Sequence, residues 1–199
     1  ISFDNFSSDL SPAQRRSRAI AEKLANGVSH LFKKNKITHI TGRARLSGEG
    51  SVEVTSGDGE KETYAAAHVL LATGSRPRDI PVLPIDESAI WSSTGALFQE
   101  TAPASLAVVG AGAVGMEFAD IYNAYGSKVT VIEALERILP IEDADSSAAL
   151  QRSFKKRGVE IHTGATVKEA TIGEATVRLV FEDKDGRSQE LEVERVLSA

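Results

Sequence analysis

The chain has 199 residues, of which 41% are hydrophobic and 26% charged, the proportions of an ordinary globular protein. Its formal net charge of −5 argues against nucleic acid or an anionic membrane as a partner, because both require a concentrated positive surface. No apolar run approaches the roughly 20 residues that span a bilayer, no secretory signal pattern opens the chain, and the absence of Cys excludes disulfides and thiolate metal sites within it.

The first predicted element is an amphipathic helix that begins at Ser11-Pro12-Ala13-Gln14. Ser suits the cap position and Pro the first helical position. The apolar residues that follow fall on one helical face: Ile20, Leu24, Val28, Leu31 and Phe32. Lys33, Lys34 and Lys36 close the last turn, where the helix dipole favours cations, and we interpret them as a solvated helix end.

Short β-rich segments follow the helix. We predict strands over Ile37–Thr41, Val52–Thr55, Thr63–Ala66 and Val69–Thr73, with a hairpin turn at Asp58-Gly59. The last of these strands has no polar alternation, which predicts a strand covered on both faces. The proline-containing stretch Gly74–Pro84 then indicates an irregular connector and a domain boundary.

The pattern after Pro103 is typical of an α/β fold. A buried strand, Leu106–Gly110, precedes a helix, Ala113–Tyr125, that Gly126 ends, and a second strand covers Lys128–Glu133. The elements predicted next are a helix over Asp145–Arg157 capped by Asp145 and ended by Gly158, a strand over Val159–Thr163, and a β-meander over Thr166–Leu197 that turns at Asp185-Gly186. Together they predict a three-layer, Rossmann-like nucleotide-binding fold with a β-meander.

The first predicted strand runs directly into the loop Gly110-Ala111-Gly112-Ala113-Val114-Gly115. In such a loop the first glycine permits the tight turn, the second lets the backbone approach a pyrophosphate, and the third lets helix and strand pack closely. A bare match to three glycines is weak evidence. Here a strand precedes the loop and a helix follows it, so we predict a dinucleotide site whose phosphates face the helix amides.

An acid closes the second strand of this unit. Glu133 lies at the position where a carboxylate accepts hydrogen bonds from the adenosine ribose, which favours NAD over NADP. Arg137 is close enough in sequence to meet a phosphate, but the negative charge of Glu133 and Glu136 argues against that role. Glu117 has two open readings: a carboxylate stabilised by the helix dipole, or a group that faces the nicotinamide.

The other reactive residues do not form a recognisable catalytic or metal-binding pattern. The histidines, His30, His39, His68 and His162, are scattered, so we expect no metal site. We interpret His162 as structural, and Tyr122, Tyr125 and Trp91 as packing residues. A simple one-nucleotide dehydrogenase therefore lacks a recognisable catalytic residue in this chain.

A second nucleotide signal precedes the connector, where a strand ends in Ala72-Thr73-Gly74-Ser75-Arg76-Pro77. This string, the glycine loop continued by Met116-Glu117, and the acid at Glu133 occur in the same order as in the flavoprotein disulfide reductases. The stretches Lys23–Ile37 and Gly126–Pro140 resemble the dihydrolipoyl dehydrogenase branch of that family in particular. The resemblance covers nearly the whole chain.

The resemblance implies an enzyme that binds two dinucleotides. FAD would lie against Thr73, Gly74 and Ser75. It would also lie against the backbone near Gly42–Ala44, where Ala44 is the residue assigned to the site. NAD would lie on Gly110, Ala111, Gly112, Ala113, Val114, Gly115 and Glu117, with Glu133 on the ribose and Val167 beside the adenine. Residues 1–80 would form part of an FAD domain, 81–103 a connector, and 104–199 an inserted NAD domain. In such enzymes dihydrolipoamide, carried by the lipoyl domain of a 2-oxo acid dehydrogenase complex, reduces a disulfide, and electrons pass through FAD to NAD.

The chain departs from the family pattern in lacking the C-x-x-x-x-C redox motif, the first G-x-G-x-x-G, the later aspartate on FAD and the C-terminal His-Glu pair. We expect these beyond the two ends, so the chain resembles an internal fragment without catalytic residues of its own. The resemblance also implies a homodimer in the cytoplasm or, in a eukaryote, the mitochondrial matrix. The alternatives are a mercuric, glutathione or nicotinamide-nucleotide reductase, or a non-catalytic nucleotide-binding module.

Overall fold

The computed structural model describes residues 8–199, which divide into two units. The smaller unit is Arg18–Arg76, and the larger joins the N-terminal residues through Ser17 to Pro77–Ala199. The predicted N-terminal helix is confirmed as α1 (Leu10–Lys34), which contributes residues to both units. It begins one residue earlier than expected, because Asp9 Oδ1, and not the Ser11 hydroxyl, accepts an amide of the first turn, that of Ser11 at 3.0 Å.

The smaller unit contains a three-stranded antiparallel sheet of β1 (Arg43–Gly48), β2 (Ser51–Thr55) and β3 (Lys61–Ala65), paired in that order. The predicted turn at Asp58-Gly59 joins β2 to β3. Ser56 donates its amide to the Glu60 carbonyl at 2.9 Å, and Gly59 has a φ of +89°, which glycine adopts without strain.

Two of the predicted strands are wrong. Ile37–Thr41 and Val69–Thr73 have no regular structure, and within residues 8–199 neither pairs with a neighbouring strand. The segment predicted to be covered on both faces is instead open, with Leu70 90% and Leu71 69% exposed. An apolar run becomes a buried strand only where adjacent strands satisfy its backbone, and the described residues supply none here.

The larger unit is built on a five-stranded parallel sheet in the order β4-β11-β5-β6-β7. Its strands are β4 (Ile90–Trp91), β5 (Ser105–Val109), β6 (Lys128–Glu133), β7 (Glu160–Thr163) and β11 (Arg195–Ser198). The helices are α2 (Ser93–Ala96), α3 (Ala113–Ala124) and α4 (Ala144–Lys156). The predicted helix-ending glycines, Gly126 and Gly158, have φ values of +95° and +84°.

The predicted β-meander consists of β8 (Thr166–Ile172), β9 (Val177–Glu182) and β10 (Ser188–Val193). It ends earlier than expected, because β11 leaves it and enters the parallel sheet between β4 and β5.

A second boundary correction concerns α4. Its cap is Asp143, whose Oδ1 accepts the amides of Asp145 and Ser146 at 2.9 and 3.3 Å, so Asp145 lies inside the helix.

Alternate residues of the parallel sheet supply two cores, which confirms the three-layer Rossmann-like fold. Leu106 and Val108 of β5 belong to the core formed with α3 and α4, whereas Ala107 between them belongs to the core formed with the meander. The carboxyl ends of β5 and β6 lie side by side in this arrangement, with Val109 opposite Ile132. In residues 8–199 no helix combines the length and apolar character needed to cross a membrane.

Candidate nucleotide-binding site

The glycine loop leaves the carboxyl end of β5 and enters α3. Gly110 has a φ of +105°, which permits the turn, and its amide donates to the Ile132 carbonyl of β6 at 2.9 Å. A Cβ at Gly115 would collide with the Gly110 carbonyl and lie 3.2 Å from Val108 Cγ1. The first and third glycines are therefore required by the packing of this loop itself.

Gly112 differs from the other two glycines. Its φ of −69° is open to any residue, and a Cβ there would meet no protein atom within 4 Å. It occupies the cap position of α3 without a side-chain hydrogen bond. Gly112 thus supplies no side-chain acceptor to the first amides of α3 and leaves the space beside them unfilled, which is the arrangement that accommodates a phosphate.

Glu133 ends β6 beside this loop and is only 8% exposed. Its Oε2 accepts the amide of Ala111 at 2.6 Å, and its Oε1 accepts the amide of Leu135 at 2.8 Å. A carboxylate has about four acceptor positions, so two stay available after these bonds. Glu133 can fix the loop and still accept hydrogen bonds from the hydroxyls of a ribose.

The segment after β6 also contacts the loop, which the sequence did not indicate. The amide of Leu139 donates to the Ala111 carbonyl at 2.7 Å. Arg137 donates through Nη2 to the carbonyls of Pro140 and Glu142 at 3.0 and 3.1 Å. One nitrogen of its guanidinium is therefore bonded to the backbone of this segment, and the expectation that Arg137 is not a phosphate ligand stays a prediction.

Glu117 lies on α3 beyond the first turn, so the helix dipole contributes little to its stability. It is exposed and borders a cleft of about 310 Å³ that Met116, Leu139, Phe154 and Arg157 also line. Of the two readings left open by the sequence, the dipole reading is weakened by this position. Contact with a bound nucleotide is the reading that stays as a proposal.

Val167 is 7% exposed and belongs to the core shared by the sheet and the meander. It follows a turn that is bonded to the site, since the amide of Ala165 donates to the Glu133 carbonyl and that of Gly164 to the Leu135 carbonyl, both at 2.8 Å. The fold therefore places β8 next to the predicted ribose acid, although the Val167 side chain packs inward.

The residues that the resemblance assigned to FAD lie in the smaller unit. Ala44 stands in β1 opposite Val54, and Thr73, Gly74 and Ser75 form an exposed irregular segment in which Gly74 has a φ of +71°. At Gly42 a Cβ would collide with the Thr55 carbonyl and with Val54 Cγ1. These residues are accessible, but no enclosed cradle is formed by them.

The remaining side chains singled out by sequence are packed. Trp91 and Tyr122 are 2% and 1% exposed, with Trp91 Nε1 donating to the Ser88 carbonyl and the Tyr122 hydroxyl to the Ala96 carbonyl. Tyr125 is partly buried against the same core. His162 meets the Phe181 ring edge-on, with 5.1 Å between ring centres, and its Nε2 lies 2.9 Å from Glu160 Oε1. Among the described residues no His, Asp and Glu cluster could hold a metal ion.

Comparison with known proteins adds a family to this geometry. The family model described as "Pyridine nucleotide-disulphide oxidoreductase" matches residues 3–199. The chain is 42% identical over 177 residues to a dihydrolipoyl dehydrogenase of Chlorobaculum tepidum. The matched region covers 89% of this chain and 38% of that protein. It is 37% identical over 199 residues to one of Chlorobaculum parvum, covering 100% of this chain and 42% of the relative.

Solved structures agree with the sequence comparison. The structure of LpdA from Mycobacterium tuberculosis superposes with a TM-score of 0.85 at 29% identity, covering 98% of this chain and 43% of that one. The chain thus spans about two fifths of the length of the curated relatives it matches, 38% and 42% for the two dehydrogenases above.

Proposed function

Since the chain belongs to the pyridine nucleotide-disulphide oxidoreductase family, we propose that its larger unit binds NAD and its smaller unit contributes part of an FAD site. Members of this family use FAD and NAD(H). The two-nucleotide arrangement implied by the order of motifs is therefore the one that the family uses.

The observation that carries the NAD proposal is the arrangement of Gly112 and Glu133 around Ala111. Gly112 leaves the first α3 amides open, and Glu133 stands at the neighbouring strand end with acceptor positions to spare. In our proposal the α3 amides and the backbone of residues 110–115 hold the diphosphate, and Glu133 accepts the hydroxyls of the adenosine ribose.

NAD is favoured over NADP by the charges around Glu133. A 2′-phosphate would approach a carboxylate, and the nearest basic side chain in sequence, Arg137, already donates to the carbonyls of Pro140 and Glu142. Glu136 is exposed and adds a second negative charge to this segment. A 2′-phosphate would thus meet like charges, and the Nη2 group of Arg137 is already bonded to backbone carbonyls.

Two further residues complete the proposed NAD site. Glu117 is exposed on α3 beyond the phosphate-binding turn, and we assign it to contact with the nicotinamide half of the nucleotide. The side chain of Val167 is buried in the core shared by the sheet and the meander. Val167 would therefore contact the adenine with its backbone atoms. When bound, NAD supplies hydride acceptance, and the residues of this chain supply binding and orientation.

For FAD we propose contacts with Ala44, Thr73, Gly74 and Ser75. All four residues are exposed, and the small side chains leave the backbone accessible to a large planar ligand. No enclosed cradle surrounds these residues, and their assignment to FAD is supported by the family resemblance.

For the intact protein we propose dihydrolipoyl dehydrogenase activity, in which electrons pass from dihydrolipoamide to a redox disulfide, then to FAD and NAD. The support is the run of dihydrolipoyl dehydrogenases among the relatives at 34% to 42% identity. A lipoyl domain as partner, a homodimer and a cytoplasmic location belong to the same proposal. The chain itself contains no cysteine, so the disulfide step lies outside its 199 residues.

Titration of the full chain with NADH and NADPH, followed by the fluorescence of the reduced nicotinamide, tests the NAD proposal. We expect saturable NADH binding that NAD displaces and NADPH binding weaker by about tenfold or more. Equal affinities, or a preference for NADPH, would contradict the role given to Glu133. Absence of binding for both nucleotides would contradict the proposed site as a whole.

A further inference from the structure

The segment that follows β6, residues 134–142, lies against the glycine loop, and we call it the strap. The backbone of Ala111 is held from two sides. Its N–H donates to Glu133 Oε2 at 2.6 Å, and its carbonyl accepts the amide of Leu139, a strap residue, at 2.7 Å. Ala111 is fully buried, so neither bond is shared with solvent.

Leu139, whose amide reaches Ala111, has an unusual backbone conformation. Its φ is +46°, a region that residues with a Cβ rarely adopt. Such a conformation is strained for a residue with a Cβ and persists only where the surroundings hold it. Something in the strap must therefore oppose relaxation of Leu139.

Arg137 supplies that restraint. Its Nη2 donates to the carbonyls of Pro140 and Glu142, at 3.0 and 3.1 Å, on the C-terminal side of Leu139. The amide of Glu142 in turn donates to the Leu139 carbonyl at 2.9 Å. The strap is thereby closed into a compact turn in which Leu139 has little freedom.

The strap residue just before Leu139 is bonded to α4. The buried hydroxyl of Ser147 donates to the Ile138 carbonyl at 2.6 Å. Ile138 itself is fully buried in the helix-side core, and the Leu139 side chain packs against that core. Leu139 thus lies between an anchored residue and the turn that Arg137 closes.

We propose that Arg137 is a positioning residue for the dinucleotide site, acting through the Leu139 amide on the Ala111 carbonyl and so setting the glycine loop for the diphosphate. This inference rests on the proposed NAD site and deepens it. Arg137 touches no nucleotide in this scheme. It holds the strap, the strap holds Ala111, and the Gly112–Gly115 amides take their direction from the residue before them.

The need for such a restraint follows from the composition of the loop. Glycines flank Ala111 on both sides, and a Cβ added at Gly112 would meet no protein atom within 4 Å, so side-chain packing does not fix the loop there. A loop with this freedom presents its amides in one direction only if a neighbouring residue is fixed. Ala111 is that residue, and Glu133 and Leu139 are its two restraints.

The test compares Arg137→Met with Arg178→Met in the full chain. Met keeps the apolar stem of Arg137 and removes both bonds to the strap carbonyls. Arg178 is the matched control, because it is in the same unit and its Nε donates to Glu190 Oε2 at 3.1 Å across β9 and β10, away from the loop. Arg137→Lys is the conservative variant, since one ammonium can still reach a carbonyl.

At a temperature where all variants are folded, we expect Arg137→Met to raise the Kd for NADH about tenfold, with partial recovery in Arg137→Lys and no change in Arg178→Met. A Kd equal to that of the unmodified chain, with only a lower unfolding midpoint, would assign Arg137 a purely structural role and overturn the inference.

Amide hydrogen exchange of Leu139 gives a readout that does not depend on nucleotide. Arg137→Met should accelerate exchange at Leu139 by about tenfold or more while Ala107, in the sheet, stays protected. Unchanged protection at Leu139 would overturn the inference even if Arg137→Met weakened NADH binding. If the unmodified chain bound no NADH, the proposed function would fail, and the exchange result would still decide whether Arg137 holds the strap.

Discussion

The carboxylate of Glu133 and the amide of Ala111 are joined by a hydrogen bond of 2.6 Å at the place where the carboxyl ends of β5 and β6 meet. This bond couples the residue proposed to recognise ribose to the loop proposed to recognise phosphate. Any change at Glu133 should therefore affect both parts of the nucleotide at once.

Glu133→Gln removes the negative charge while keeping the size of the side chain. An amide offers one carbonyl oxygen, so it cannot accept from Ala111 and Leu135 together and also bind ribose hydroxyls. We expect NADH affinity to fall by about tenfold, because charge-assisted hydrogen bonds are the stronger kind. Glu136→Gln, at an exposed position, is the control, measured by the same fluorescence titration. Equal losses in the two variants would mean that net charge, and not the ribose contact, controls binding.

Gly112→Ala and Gly115→Ala should separate binding from stability. At Gly115 the new methyl would collide with the Gly110 carbonyl, so we expect the free energy of unfolding to fall by about 1–3 kcal/mol. At Gly112 the methyl meets no protein atom within 4 Å, so stability should change by less than about 0.5 kcal/mol. NADH binding, however, should weaken strongly in Gly112→Ala, because the methyl enters the space assigned to the diphosphate. Urea unfolding and NADH titration of both variants check this, and normal binding by Gly112→Ala would refute the placement.

Tyr122 should make the larger unit sensitive to alkali. Burial raises the pKa of Tyr122 to about 12, from 10.0 for the free side chain. The folded state thus holds the Tyr122 proton more strongly than the unfolded state does. The protonated hydroxyl therefore contributes fully to the free energy of unfolding below pH 10, and this contribution is lost as the pH rises toward 12. A pKa shift of this size corresponds to a decrease on the order of 2 kcal/mol in the free energy of unfolding once the hydroxyl is ionised.

Tyr122→Phe removes this alkaline dependence and, through the lost bond to the Ala96 carbonyl, about 1 kcal/mol of stability at neutral pH. Urea unfolding at pH 8 and at pH 11 measures both effects. Tyr125→Phe, at a half-buried position, is the control. A Tyr122→Phe chain that lost as much stability between the two pH values as the unmodified chain would contradict this prediction.

Asp86 should make the turn before β4 sensitive to acid. Partial burial by itself would raise the pKa of Asp86, but the amides of Ile90, Ser88 and Ala89, donated at 2.8 to 2.9 Å, together hold the pKa below its usual value. A carboxyl with a lowered pKa stabilises the fold above the unfolded-state value near 3.8, and the effect is lost as the pH falls through the folded value.

Asp86→Ala should therefore cost about 1–2 kcal/mol at pH 7, comparable to the loss of a helix cap. The difference from the unmodified chain should shrink at pH 3 and below. Asp79→Ala, at an exposed position, is the control. Thermal unfolding at the two pH values checks the prediction, and a pH-independent difference would show that the Asp86 charge is not what matters.

The βαβ unit around the glycine loop could be predicted because every local signal there agrees with the fold. The glycines, the apolar strand before them and the acid at Glu133 each indicate the same unit, and β6 has the predicted bounds, Lys128–Glu133. The helix, strand and turn of this unit form between residues close in sequence, so local patterns suffice to predict them.

The wrong strands failed for the opposite reason. Ile37–Thr41 and Val69–Thr73 have the composition of buried strands, but a strand is defined by its partners, and composition does not report whether partners are present. The contact from Leu139 to Ala111 escaped prediction because a positive φ at a leucine has no sequence signature. The sequence indicates only that Arg137 is near enough to meet a phosphate and that its acidic neighbours argue against that role, whereas its bonds to backbone carbonyls depend on a turn that the sequence does not reveal.

The position of β11 has a consequence for the order of folding. This strand is paired in parallel with both β4 and β5, and the Glu194 amide just before it donates to the Ser105 hydroxyl, 89 residues earlier in the chain. The sheet cannot close until the meander has been synthesised, because β11 follows it in the chain. During translation β4 therefore has no partner, although β5, β6 and β7 have already been synthesised. We therefore expect sheet closure to be the slow, rate-limiting event of folding in the larger unit, because contacts so distant in sequence require the closure of a long loop.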